Sequence, residues 1–88
     1  MIEKNYKVTS NEGLHARPSS VLVSAVTPFT SDVKLAYMEK TVNLKSIMGV
    51  MSLGISAGAD IKIIADGEDE EALMAKVDEV IKSEGIGE

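Results

Sequence analysis

The chain has no cysteine and no tryptophan, one phenylalanine and two tyrosines, so no disulfide or thiolate metal site can brace it. Aliphatic packing has to hold the fold. Prolines number only two among 88 residues, and no Pro/Gly-rich linker, internal repeat or low-complexity tract marks a domain boundary. Residues 1–88 are therefore expected to form a single domain, since halves of such a chain would be too small to bury a core. Basic residues are outnumbered 14 to 9, for a net charge of −5. They are scattered apart from Arg17, Lys40 and Lys45, which argues against nucleic acid as a partner. No apolar stretch approaches the roughly 20 residues that span a bilayer, and Met1 to Tyr6 has no apolar signal core. A cytoplasmic location without membrane insertion is expected.

What is present is 44% apolar and 26% charged, ordinary for a globular protein. Ile2, Tyr6 and Val8 alternate with polar residues as in a half-buried strand, with Lys4 the one exception on the apolar side. After the break at Asn11-Glu12-Gly13, Pro18 suggests a helix opening near His15, because proline is tolerated in a first turn. Pro28 marks its end. Val33, Leu35 and Tyr37, then Val42 and Leu44, read as a hairpin whose turn, Met38-Glu39, lacks the usual Asn-Gly. Ser46 precedes a short apolar helix stopped by Gly54 and weakened by Gly49. Ile61, Ile63 and Ala65 form a fourth strand. The acidic run Asp66 to Glu71 then opens a helix whose stripe is Leu73, Val77, Val80 and Ile81. The order is βαββαβα, an α+β fold with an antiparallel sheet covered by helices on one face.

His15 and Arg17 are the only histidine and the only arginine, two residues apart at the expected helix start. Unprotonated imidazole is a covalent nucleophile near neutral pH, and the positive end of a helix dipole disfavours imidazolium. The same unpaired N–H groups would solvate a phosphoryl group on the ring, with Arg17 adding a charge-assisted contact. The plainer alternative stays open on these residues alone: His15 a solvated cap, Arg17 a surface charge. A metal site is disfavoured, because one histidine, no cysteine and Glu12 offer too few ligands for zinc. No Gly-rich phosphate loop, Ser-His-Asp set or carboxylate pair stands out, and no cofactor is expected. Ser46 reads first as an N-cap; phosphorylated, it would place about two negative charges beside Ile47, Met48 and Met51. A short helix cannot bury all of these, and methionine suits an adaptable docking surface. A small ferredoxin-like interaction domain shares a similar element order.

Two segments, Gly13-Leu14-His15-Ala16-Arg17-Pro18 and Asn43-Leu44-Lys45-Ser46-Ile47-Met48-Gly49-Val50-Met51-Ser52-Leu53-Gly54, resemble HPr, the phosphocarrier family of the bacterial phosphoenolpyruvate-dependent sugar phosphotransferase system. The second is similar to the Gram-positive form. The resemblance covers essentially the whole chain. It implies an open-faced sandwich with sheet order 1-4-2-3 and three helices. It also implies a carrier, not an enzyme: enzyme I phosphorylates Nδ1 of His15, Arg17 steadies the phosphoryl group, and IIA components of sugar permeases receive it. By the same resemblance Ser46 is phosphorylated by HPr kinase/phosphorylase, which slows the relay and promotes binding to a catabolite-control transcription regulator. Pro18, Ser20, Ile47, Met48 and Met51 would contact partners, and the protein would be a monomer. Departures are Ser19-Ser20 where relatives more usually read Ala-Thr, Met38-Glu39 in place of a glycine-containing turn, and Glu12 beside His15. Glu12 could favour the charged ring or weakly oppose a phosphoryl group. The family's regulatory relative lacks the histidine, so His15 argues against that assignment.

Overall fold

The alternating stretches become four strands, β1 (Ile2–Lys7), β2 (Asp32–Tyr37), β3 (Lys40–Asn43) and β4 (Asp60–Asp66), in a computed structural model that describes residues Met1–Glu88. Three helices, α1 (Ala16–Val26), α2 (Ile47–Ser52) and α3 (Glu70–Ser83), separate them in the order βαββαβα. The sheet runs β1-β4-β2-β3, with every neighbouring pair antiparallel. The α+β open-faced sandwich with order 1-4-2-3 is therefore the observed fold. Because β4 inserts between β1 and β2, the connection through α1 is a crossover that lays the helix on the sheet.

Register explains the one-sided core. Val33 pairs with Ala65, Leu35 with Ile63 and Tyr6 with Ile61, and all six side chains are buried on the helical side. Leu22 and Val26 of α1 and Leu73, Val77, Val80 and Ile81 of α3 close over them. α2 contributes only Val50 from within the helix, which leaves Ile47, Met48 and Met51 in solvent. No helix is long and apolar enough to cross a membrane.

Three details differ from the sequence pattern or complete it. Lys4 spoils the alternation of β1 because its Nζ reaches α3, where it lies 2.9 Å from Asp78 Oδ1; the Tyr6 hydroxyl donates to the same oxygen at 3.2 Å. Lys4 first and then Lys82 hold the Asp78 carboxyl down at about 2. The hairpin closes with Tyr37 paired to Lys40, and Met38 takes φ +56, the left-handed region that a primed turn requires and usually fills with glycine.

The acidic run needs correction as a purely helix-opening segment: Asp66 ends β4, and Asp69, the N-cap of α3, makes no side-chain cap. Instead its carboxylate accepts from Thr30 N and Ser31 N, each at 2.9 Å, and from the Ser31 hydroxyl. The Ser31 hydroxyl first, then the Thr30 amide, lower the Asp69 carboxyl to about 2. Asp69 thereby ties the α1–β2 loop to the start of α3. Glu70 alone keeps a helix-start bond, accepting from Gly67 N at 3.0 Å.

Candidate functional site

His15 is positioned by a loop that is anchored on both sides. Gly13 has φ +71, and a Cβ there would collide with the Ile55 carbonyl and lie 2.9 Å from Ser56 Cα, so only glycine fits. Its amide donates to Ser10 O at 3.0 Å, and Leu14, buried, donates to Ile55 O at 3.1 Å. On the other flank Thr9 N and Ser10 N both donate to Ile86 O, at 3.0 and 3.2 Å, drawing the C-terminal end of the chain against the loop. Gly87 permits this approach, since a side chain there would strike the Lys7 carbonyl. The histidine thus stands on a clamped base.

His15 itself is the N-cap of α1, with extended backbone (φ −86, ψ −173), yet its side chain makes no capping hydrogen bond. The ring is 40% exposed, and its Nε2 lies 3.3 Å from Glu12 Oε2. Arg17 is exposed and takes part in none of the chain's ion pairs. Ser10, His15, Arg17, Pro18, Glu84 and Ile86 line an open hollow of about 210 Å³. At its edge the first-turn amides of α1 have no helical acceptor, and the dipole presents its positive end. An imidazole whose one polar contact is the Glu12 carboxylate at Nε2, an unpaired guanidinium and first-turn amides lie close together there, which suits a transferable dianionic group.

The other expected residues divide into buried and exposed. Pro18 is buried and reaches the hollow only as lining, whereas Ser20 is exposed on α1. Ser46 caps α2 as expected: its Oγ accepts from Gly49 N at 3.1 Å. Beside it Met48 is 81% exposed, Met51 40% and Ile47 37%, a contiguous apolar patch on one short helix. Lys45 is held by a 2.6 Å bond from Nζ to Phe29 O. Glu84 and Ile86 were not legible as site residues, because only the tail contact brings them to His15, and Ser10 joins through the loop in which its carbonyl accepts from Gly13 N. No three His, Asp or Glu side chains gather where they could hold a metal ion. A larger hollow of about 330 Å³ at the hairpin tip is lined by Tyr37, Met38, Glu39, Lys40 and Leu53 and holds no histidine.

Known proteins share this fold. The family model described as the PTS HPr component phosphorylation site matches residues 2–83. The chain belongs to the HPr family. The histidine-containing phosphocarrier protein of Mycoplasma superposes with a TM-score of 0.97 at 34% identity, over 99% of each chain. HPr-C-His from Thermoanaerobacter tengcongensis gives 0.90 at 39% identity, covering 97% of this chain and 96% of its own. Crh, described as the Bacillus subtilis catabolite repression protein and as a domain-swapped dimer, gives 0.73 at 42% identity, covering 96% and 97%. HPr proteins are phosphocarriers of the phosphotransferase system and not enzymes, and that is the class to which this chain belongs.

Proposed function

We propose that this HPr-family chain accepts a phosphoryl group on His15 from phospho-enzyme I and donates it to IIA components of sugar permeases, in the cytoplasm and as a monomer. The observation that carries this is the N-cap of α1: His15 spends no hydrogen bond on capping and lies beside an unpaired Arg17. Transfer between carriers requires an acceptor that partners can reach, and a ring 40% exposed at the rim of an open hollow meets that need. Arg17 neutralises the phosphoryl oxygens. Pro18, Ser20, Ile47, Met48 and Met51 contact the partners, with Pro18 acting through the hollow's wall and the other four through exposed surface. Incubation with phosphoenolpyruvate and enzyme I is expected to leave one acid-labile label per chain, chased onto IIA. Label that persists in His15→Ala refutes the assignment.

A regulatory role at Ser46 is favoured by a separate observation, the position of its Oγ at the edge of the exposed methionine patch. Phosphorylation there by HPr kinase/phosphorylase sets about two negative charges next to Ile47 and Met48, hindering an apolar docking partner and offering an anionic handle to a catabolite-control transcription regulator. Acid-stable label from ATP and that kinase, absent in Ser46→Ala, is the expected outcome; equal labelling of the variant excludes Ser46.

A further inference from the structure

The acidic side chain that faces His15 has no part in the relay as described. Glu12 Oε2 stands 3.3 Å from Nε2, and Glu12 is outside the hollow that Ser10, His15, Arg17 and Glu84 line. The glycine that follows Glu12 is locked, its left-handed backbone and its bond to Ser10 O fixing where the Glu12 side chain leaves the main chain. A neutral imidazole carries one proton, and the group facing one nitrogen decides where that proton sits. We propose that Glu12 is a positioning residue which holds the proton of neutral His15 on Nε2 and leaves the Nδ1 lone pair to take the phosphoryl group.

The inference rests on His15 being the acceptor, and it adds a reason for one ring nitrogen to be used over the other. As Nδ1 forms its bond to phosphorus, the bond from phosphorus to the donor breaks and the leaving group departs with that electron pair. Nε2 keeps its proton, so the ring gains positive charge that is shared with the N–H facing Glu12. The carboxylate's attraction therefore grows along the reaction and lowers the barrier, where a contact equally strong in the starting state would not. Arg17 and Glu84 are the other charged groups that line the hollow with His15. Glu12 is 77% exposed, so its influence is that of a solvated ion pair, roughly two- to fivefold, and weakens with salt.

The test uses phosphoramidate, a small donor that releases ammonia on transfer and needs no protein partner. Nitrogen-15 spectra at about pH 8.5, where imidazole is neutral, report the tautomer, and phosphorus-31 spectra report which nitrogen is modified. The expected result is Nε2–H and phosphorylation on Nδ1 in the unaltered protein. Glu12→Ala lowers both the Nε2–H to Nδ1–H ratio and the rate by roughly two- to fivefold, and Glu12→Gln, whose Oε1 can accept a hydrogen bond from Nε2–H but carries no charge, restores the ratio more than the rate. Modification at Nε2, or a Glu12→Ala protein with unchanged ratio or unchanged rate, overturns the proposal. Label on His15→Ala from phosphoenolpyruvate and enzyme I would instead overturn the acceptor assignment itself, so the two failures are distinguishable.

Discussion

α1 begins on His15 without a side-chain cap, whereas α2 begins on Ser46, whose Oγ accepts the Gly49 amide at 3.1 Å. The first start forgoes about 1 kcal/mol of helix stabilisation that a serine or aspartate cap supplies. It gains a ring and first-turn amides that remain available to a ligand. The second start uses its hydroxyl structurally, so modification there alters a helix terminus and a docking surface together. A third start, at α3, differs again: Asp69 caps nothing and binds the Thr30–Ser31 loop, which makes it a tie between elements. In one molecule the same local position serves reactivity, local order and tertiary connection, depending on where the side chain points.

The largest contrast is expected from His15→Ala. Phosphoryl acceptance from enzyme I should vanish, while thermal stability changes by less than about 0.5 kcal/mol, because no cap is removed; calorimetry and labelling on one sample check both. Arg17→Ala should keep the site but slow acceptance about 10- to 100-fold, the worth of a lost hydrogen bond to a charged group, measured by rapid quench. Ser46→Ala should do the reverse of His15→Ala: full labelling, with about 1 kcal/mol lost from stability and a melting point roughly 4–8 °C lower.

Acid sharpens the comparison with α3. Asp69 and Asp78 both titrate at about 2 in the folded protein against an ordinary 3.8, so each binds its proton less readily folded than unfolded. Their stabilisation is complete above the unfolded value and is lost as pH falls from about 5 toward 2. Denaturant melts over that range should show a steeper decline for the unaltered protein than for Asp69→Asn, whose contribution is absent throughout.

Much of this was legible because the core obeys short periods. Alternation at Val33, Leu35, Ile61 and Ile63 and the stripe Leu73, Val77, Val80, Ile81 are local signals, and the elements follow them. Rarity and helix-start chemistry drew attention to His15, Arg17 and Ser46, but left the plainer cap readings open; the two segments that resemble HPr tipped the reading toward a phosphoryl site. Contacts between distant segments were not legible: Glu84 and Ile86 reach the hollow only after Ile86 O has accepted from Thr9 and Ser10. Asp69 was read only as one of the acidic residues at the helix start, since its tie to the Ser31 loop exists only once that loop is folded against it. Lys4 looked misplaced until Asp78 came within reach.

The division between the two serial helix starts is tested most directly by phosphorus-31 spectra of protein charged by phosphoenolpyruvate and enzyme I. A single phosphorus–nitrogen resonance on His15, absent in His15→Ala and undiminished in Ser46→Ala, is predicted. A resonance that survives loss of the histidine, or that disappears with the serine, contradicts the assignment of reactivity to the uncapped start of α1.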